Sequence, residues 1–334
     1  MLIGLCAAVL VAGALYLAQS IAAPIAFAIF FLALVWPLQR RLARIMPPAL
    51  AMLITLMAAM VTLFGMALLI AWAFGGVAQW VMNNSEQLQA LYARKIAFLE
   101  ARGIAVASVF TENFNTGWLV RLAQTITGQL RGILSFTILT IVFLVFALLE
   151  VDMLRRQMAR IPGETAPALL AAGGLTAKKF RIYMGVRTLM SVITGLCVWG
   201  FASFMGLDLA AEWGVVAFVM NYIPFIGPLV ATLFPTLFAI LQFGSWETAV
   251  VVFLCLNLIQ TISGSYIEPL IAGARLSVSS FMVLLAVFFG SFLWGIPGAF
   301  IGVPVLIAAL TVCDQFPGSR WVAKILSGRA PDPA

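Results

Sequence analysis

The residues best suited to bind a solute lie between Asn221 and Pro228, which read NYIPFIGP. Pro224 and Pro228 lack a backbone N–H donor, and Pro224 would clash with the carbonyl four residues earlier in a straight helix. The surrounding apolar run, Trp213 to Phe243, is long enough to cross a bilayer core of roughly 30 Å. Backbone groups freed by Pro224, Gly227 and Pro228 need partners from the protein or from a water-filled cavity. With the Asn221 amide, they predict a solute or ion site in a broken helix; a proline-kinked packing helix is the alternative.

Four further polar positions lie in the same half of the chain. Asn257 and Gln260 are one turn apart on one helix face, where they can line a path or bond neighbouring helices. Glu268 and Arg275 lie in the segment from Tyr266 to Ser280, where Pro269 and Gly273 predict irregular backbone that interrupts the helix. A charge at the bilayer centre costs roughly 2.5 to 3.5 kcal/mol, so such charges are usually paired or functional. The alternative is that both charges lie in an interfacial loop.

A second broken helix is predicted between Ser279 and Val312. Pro297, Gly298 and Pro304 interrupt it with the residue types that interrupt the first. Paired interruptions can indicate an internal repeat with a site between its halves. Gly298 and Gly302 also have the GxxxG spacing, which favours helix packing.

The composition requires a membrane environment for these segments. Of 334 residues, 63% are hydrophobic and only 9% are charged, with a mean hydropathy of +1.11. Soluble domains carry roughly a quarter charged residues. We therefore predict an all-α, polytopic helical membrane protein with about eight transmembrane helices, of which those in the C-terminal half are broken by proline and glycine.

The composition also excludes several classes of chemistry. The sequence has no histidine, which excludes an HExxH zinc site, a Ser-His dyad and a histidine proton relay. It has no phosphate-binding loop, and its four cysteines lie in apolar segments without CxxC spacing. The net charge of +7 is spread over loops rather than in a basic run. No enzyme activity, cofactor, metal or nucleic-acid partner is predicted, and energy has to come from an ion or solute gradient.

The order of charged and apolar segments predicts the topology. The predicted regions are N-terminal transmembrane helices (1–77), an extracytoplasmic amphipathic helical region (78–131), the fourth transmembrane helix with a basic cytoplasmic loop (132–187), a transport core with the broken helices (188–312) and a cytoplasmic tail (313–334). Residues 1–39 are predicted to form a hairpin of two membrane helices that turns near Gln19 and Ser20, and the fourth crossing is predicted from Gly132 to Leu149. Because cytoplasmic loops are rich in Lys and Arg, both termini are predicted to be cytoplasmic.

Two stretches resemble the autoinducer-2 exporter family of bacterial inner-membrane transporters. They are NYIPFIGP and YIEPLIAGARLSVSSFMVLLAVFFGSFLWGIPGAFIGVPVLIAAL, from Tyr266 to Leu310. The family pattern is similar: N-x-IP-x-IGP, a Gln (here Gln260), EP-x-I-x-G (here ending at Gly273) and LWGI-x-G-x-x-x-x-VP. The resemblance implies a bacterial inner-membrane protein that exports a small polar solute. Autoinducer-2 is the family's named substrate, although some members look like sodium/proton antiporters.

We therefore expect a secondary transporter whose pathway is built by residues 188–312. The predicted pathway residues are Asn221, Pro224, Gly227, Pro228, Asn257, Gln260, Glu268, Pro269, Arg275, Pro297 and Gly298. The expected partners are a small polar solute, Na+ or H+, and the lipid bilayer, with homo-oligomerisation left open. Sodium/proton antiport with Glu268 as the titrating carboxylate is one alternative. A non-transport membrane scaffold that binds partners through its basic loop is another.

Overall fold

The protein is built from α-helices, as its composition predicts. The structure is a computed structural model and describes residues 2–84, 86, 90, 116–163, 165–272 and 278–326. These residues contain no strand. Their helices are α1 (Leu2–Leu17), α2 (Gln19–Leu42), α3 (Pro48–Asn83), α4 (Thr116–Met158), α5 (Thr165–Phe204), α6 (Ala210–Met220), α7 (Ile226–Phe243), α8 (Trp246–Thr261), a π-helix (Ile262–Ile267), α9 (Glu268–Ala272), α10 (Ser280–Gln315) and α11 (Arg320–Leu326).

Seven helical segments in the described part of the chain are long and apolar enough to cross a membrane. They are Gln19–Leu42, Pro48–Asn83, Gly132–Met158, Thr165–Phe204, Ile226–Phe243, Trp246–Ile271 and Ser280–Gln315. Eight crossings are predicted, and the one that is not among these seven segments is the first, α1, which has only 16 residues. The predicted hairpin between α1 and α2 is wrong: the chain only bends at Ala18 (φ −90°, ψ 19°), because Ala18 N still donates to Ala14 O at 2.9 Å and Ala22 N to Ala18 O at 2.8 Å. The predicted fold class, an all-α polytopic membrane protein, is confirmed.

Small side chains bring α2, α3 and α4 together. The buried face of α3 consists of alanines and one threonine, namely Ala51, Thr55, Ala59, Ala67, Ala73 and Ala78. Ala59 packs with Ala28 of α2 and Leu144 of α4. Small residues allow membrane helices to approach closely, which strengthens their dispersion contacts. Near the end of α3, the Trp80 ring contacts Phe238 of α7 at a centroid distance of 4.3 Å and joins this bundle to the C-terminal half.

Helix α4 is longer than the predicted fourth crossing. The amphipathic piece around Trp118 and the crossing from Gly132 to Leu149 are parts of one continuous helix, Thr116–Met158. The intervening glycines, Gly128 and Gly132, weaken a helix but do not end it. Most of the predicted extracytoplasmic region, including residues 91–115, lies outside the described residues.

The stretch between α6 and α7 reverses the chain. The two helices pack against each other, with Trp213 meeting Phe238 edge to face at a centroid distance of 5.2 Å. At the open end, Gln242 of α7 accepts a hydrogen bond from Asp208 N at 2.8 Å and donates one to Gly206 O at 2.9 Å. Helix α6 has 11 residues and is therefore only about half as long as the bilayer core is thick. The predicted break is confirmed, and it forms a helical hairpin rather than a kink.

A second reversal lies inside α10. Trp294 (φ −136°, ψ 18°) and Gly295 (φ 63°, ψ −141°) leave the helical conformation and separate a first arm, residues 280–293, from a second arm, residues 296–315. The positive φ of Gly295 is a conformation that residues with a Cβ rarely adopt. Pro297 follows in the first turn of the second arm, where a proline is well tolerated.

Glycines allow the two arms of α10 to touch. A Cβ atom on Gly302 would lie 2.9 Å from the carbonyl carbon of Ala286, and one on Gly298 would lie 2.6 Å from that of Gly290. The predicted packing role of the GxxxG pair is therefore confirmed. The predicted interruption at Pro304 is wrong, because the second arm continues through Pro304 as a helix.

Candidate functional site

A polar cavity of about 810 Å³ lies beside the reversal between α6 and α7. Its walls also include residues of α5, α7, the α8–α9 segment and both arms of α10. The polar lining consists of Tyr183, Arg187, Asn221, Thr232, Asn257, Gln260, Thr261, Ser265, Glu268 and Ser280. Such a group of polar side chains among apolar helices is typical of a solute or ion site in a membrane protein.

A strained turn forms the part of the cavity wall contributed by the first hairpin. Ile226 N donates to Pro224 O at 2.7 Å, and Phe225 between them has φ 64° and ψ −52°. This is a γ-turn of the hand that is rare and strained for an L-residue. Gly227 follows, with its Cα against the carbonyl of Met220, so that no side chain fits there. Pro224 and Phe225 line the cavity as a result.

Two hydrogen bonds attach this turn to α5. Asn221 Nδ2 donates to Ser191 Oγ at 3.3 Å, and Tyr222 Oη donates to Thr188 Oγ1 at 3.0 Å. The Asn221 side chain is buried and lies against the cavity. The amide group therefore fixes the turn from a position on the cavity wall.

One face of the α8–α9 segment supplies half of the polar residues that line the cavity. Its lining residues are Phe253, Asn257, Gln260, Thr261, Gly264, Ser265, Glu268 and Pro269. These positions recur every three to four residues, as one face of a helix requires. The prediction that Asn257 and Gln260 share a face is confirmed. The Thr261 hydroxyl donates to Asn257 Oδ1 within the same segment at 3.5 Å, whereas Gln260 Nε2 is buried with no acceptor among the described residues.

The π-helix explains why this face continues past the predicted interruption at Tyr266. Glu268 N bonds to Ser263 O, five residues earlier, at the end of the π-helix. A proline ring in an α-helix clashes with the carbonyl four residues before it, and the wider π turn makes room for Pro269. The helix therefore continues to Ala272, and the prediction of irregular backbone from Tyr266 onward is wrong at its N-terminal end.

An ion pair joins α5 to α9 across the cavity wall. Arg187 Nη1 lies 3.0 Å from Glu268 Oε2, and the two side chains are only 13% and 26% exposed. The Arg187 guanidinium also lies 5.7 Å from the centre of the Tyr183 ring. The pair is mostly removed from solvent, so the loss of one partner leaves a charge in a medium that solvates it poorly. No other ion pair occurs among the described residues.

The sequence as a whole matches one family of membrane transporters. Residues 5–318 match the family described as AI-2E family transporter. The chain belongs to this family. Among its relatives is the AI-2 transport protein TqsA of Escherichia coli K12, which is 28% identical over 93% of this chain and 90% of its own length. A putative transport protein of Borreliella burgdorferi is 26% identical over 71% of the chain and 67% of its own length.

Within this AI-2E family transporter, the cavity brings together most of the predicted pathway residues. Those that line it are Asn221, Pro224, Pro228, Asn257, Gln260, Glu268 and Pro269. Gly227 lies behind the wall, where it allows the turn to close on Met220. Pro297 and Gly298 do not line the cavity; they belong to the second arm of α10 close to its reversal. Arg275 lies outside the described residues.

Tyr183 and Arg187 fall within residues 132–187, the region predicted to end in the basic cytoplasmic loop, and they were not predicted to line the cavity. Both belong to α5, which is one helix from Thr165 to Phe204. The signal that identifies them is a polar face at helical spacing on α5, formed by Tyr183, Arg187, Ser191 and Thr194. That face continues from the basic segment of α5 into its apolar segment.

Proposed function

We propose that this membrane transporter is a secondary transporter that carries a small polar solute through the cavity beside the first hairpin. The observation that supports the proposal is the polar lining itself: three amides and an ion pair lie among helices that are otherwise apolar. Polar groups at such positions are costly to bury, which favours a functional role. AI-2, which the name of the relative TqsA gives as its cargo, is the first candidate solute.

Sodium/proton antiport is the second candidate, because a carboxylate of the cavity lining is suited to bind a cation. The geometry favours the solute instead. The Arg187 guanidinium lies 3.0 Å from Glu268 and neutralises it, so a sodium ion would have to displace an arginine. A solute that hydrogen-bonds to Asn221, Asn257 or Gln260 meets no such competition. Because the sequence has no nucleotide-binding loop, we expect either process to be driven by a gradient.

Flux in proteoliposomes tests the proposal. Proteoliposomes that contain the purified protein should take up AI-2 faster than vesicles without protein do. The rate of uptake should depend on an imposed H+ or Na+ gradient. Gln260→Leu should lower this flux roughly 10-fold, because it removes a buried hydrogen-bonding group from the cavity. Gln157→Leu is the matched control, since Gln157 is exposed near the end of α4. Proton-driven sodium flux without any solute would favour antiport, and the absence of both fluxes would overturn the transporter mechanism.

We also propose that the protein lies in the bacterial inner membrane with both termini in the cytoplasm. The end of α2 around Arg40 and the connection between α4 and α5 around Arg160 are basic, and cytoplasmic segments between membrane helices are enriched in such residues. In a cysteine-free background, Ala171→Cys should not react with an impermeant thiol reagent added to intact cells, whereas Ser108→Cys should. Ala171 is exposed, so a lack of labelling there is not caused by burial. Labelling of Ala171→Cys from outside would reverse the proposed orientation.

A further inference from the structure

The charges in the cavity are balanced. Of the described residues that line it, Arg187 and Glu268 alone carry a formal charge, and they neutralise each other at 3.0 Å. Both side chains are mostly buried, so neither charge can lose its partner without a large penalty unless a new partner replaces it. This balance limits the charge that a solute can bring into direct contact with the pair.

The ion pair and the neighbouring cavity wall also have hydrogen-bonding groups without partners among the described residues. Arg187 Nε is buried with no acceptor among the described residues, and so is Gln260 Nε2. The Tyr183 hydroxyl lies close to the guanidinium without the geometry of a hydrogen bond. Glu268 uses Oε2 for the ion pair, and its other carboxylate oxygen accepts no hydrogen bond from a described residue. Buried donors without acceptors are uncommon in proteins and are candidates for ligand contacts.

Charge balance distinguishes the possible solutes that engage the pair. A purely anionic solute on Arg187 would displace Glu268 and leave a buried carboxylate unpaired. A purely cationic solute on Glu268 would leave the Arg187 guanidinium unpaired. A zwitterionic solute presents an anionic group to Arg187 and a cationic group to Glu268, so both buried charges keep a partner of opposite sign.

We propose that the transported solute is a small zwitterion of the amino-acid type, which inserts between Arg187 and Glu268. The carboxylate of the solute accepts hydrogen bonds from Arg187, and its ammonium group donates to Glu268. This inference rests on the proposed transport through the cavity, and it replaces AI-2, the candidate taken from the relative's name, with a class of solute chosen from the charges in the cavity. Arg187 and Glu268 are then the residues that determine specificity.

The remainder of the cavity suits an apolar side chain. Leu229, Leu233, Phe253, Val283 and Ile307 line it together with the polar groups. An aliphatic amino acid therefore has complementary surfaces for both of its parts, because apolar surface gains free energy by leaving water. Leucine is the probe that best combines the two charges with an aliphatic group.

Four probes with the same carbon skeleton separate the possible charges. Leucine is a zwitterion, 2-hydroxy-4-methylpentanoate an anion, leucinol a cation and 4-methylpentane-1,2-diol neutral. Calorimetric titration of the full chain in nanodiscs should show that leucine binds at least about 10-fold more tightly than each of the other three. Equal or tighter binding of the diol would mean that the ion pair stays closed over a neutral solute. Tightest binding of the hydroxy acid would indicate an anion site. Each of these results, or no binding of any probe, overturns the inference.

Charge-removing variants should change the preference in opposite directions. Arg187→Gln leaves Glu268 in need of a cation and should bind leucinol at least about 10-fold more tightly than leucine. Glu268→Gln leaves Arg187 in need of an anion and should prefer the hydroxy acid. Arg181→Gln removes the same charge from α5 outside the cavity lining and should keep the wild-type order. A reversal of preference in Arg275→Gln instead would assign the recognition to Arg275 and contradict the role of Arg187.

Flux of leucine in proteoliposomes separates this inference from the proposed function. If leucine binds but neither leucine nor AI-2 crosses the membrane, the transport mechanism fails while the zwitterion site stands. If AI-2 crosses but leucine neither binds nor crosses, the zwitterion site fails while transport stands. The titrations of the wild-type chain require no variant, so a substitution that prevents folding leaves the central comparison intact.

Discussion

Gly227→Ala should prevent the first hairpin from closing and abolish transport. A Cβ atom at this position would lie 2.6 Å from the carbonyl carbon of Met220 and closer still to its oxygen. Both are backbone atoms of α6, so no side-chain rotation relieves the clash. Overpacking of a tight contact costs about 1 to 3 kcal/mol where side chains can adjust, and we expect a loss at or above the upper end of that range. The thermal midpoint in detergent and the flux in proteoliposomes measure the two effects.

Gly185→Ala is the matched control for this substitution. Gly185 lies in α5, and a Cβ atom there would meet nothing within 4 Å. Alanine is favoured over glycine in a helix by about 1 kcal/mol, so this variant should be as stable as the wild type or more so. A Gly227→Ala protein with an unchanged thermal midpoint would show that α6 and α7 are not a closed hairpin.

Removal of either partner of the ion pair should destabilise the protein more than removal of both. Arg187→Gln strands the Glu268 carboxylate, and Glu268→Gln strands the Arg187 guanidinium. The loss is about 3 to 5 kcal/mol for fully buried pairs, and we expect the lower end because the side chains are 13% and 26% exposed. The double variant leaves two neutral amides and should lose less stability than the worse single variant.

A double-mutant cycle on unfolding measures this coupling directly. We expect an interaction free energy of about 1 to 3 kcal/mol between positions 187 and 268. Arg275→Gln is the comparison variant, because Arg275 was the partner that the sequence suggested for Glu268. The change in unfolding free energy caused by Arg275→Gln should simply add to the change caused by Glu268→Gln, with no interaction free energy between the two positions. Additive effects of Arg187→Gln and Glu268→Gln would contradict the observed ion pair.

The sequence predicted the broken helices because proline and glycine act locally. Pro224 removes a donor whatever the tertiary structure, and the interrupted apolar run therefore indicates a break without knowledge of its neighbours. Whether the chain kinks or reverses depends on tertiary contacts, such as the backbone of Gly227 against Met220. The spacing of residues along the sequence does not reveal such tertiary contacts. The same limit explains why Pro304, which suggested a break, lies inside a continuous helical arm.

The partner of Glu268 was missed for a related reason. Sequence proximity suggested Arg275, which lies outside the described residues, and gave no indication of Arg187, which pairs with Glu268 from a position 81 residues earlier. The π-helix of Ile262–Ile267, which continues the lining face past Pro269, is also a tertiary adjustment without a sequence signature of its own. In contrast, Asn257 and Gln260 were predicted to share a face, because helical periodicity alone sets that relationship.

The solute is proposed to pass through the cavity, and selective blockage of the cavity tests this most directly. In a background without native cysteines, Asn257→Cys places a thiol on the cavity wall, and Leu258→Cys places one on the neighbouring exposed position that does not line it. Treatment of proteoliposomes with a charged methanethiosulfonate should stop solute flux through Asn257→Cys and leave flux through Leu258→Cys unchanged. Solute present during the treatment should slow modification of Asn257→Cys only. Complete labelling of Asn257→Cys with unchanged flux would show that the solute takes another path.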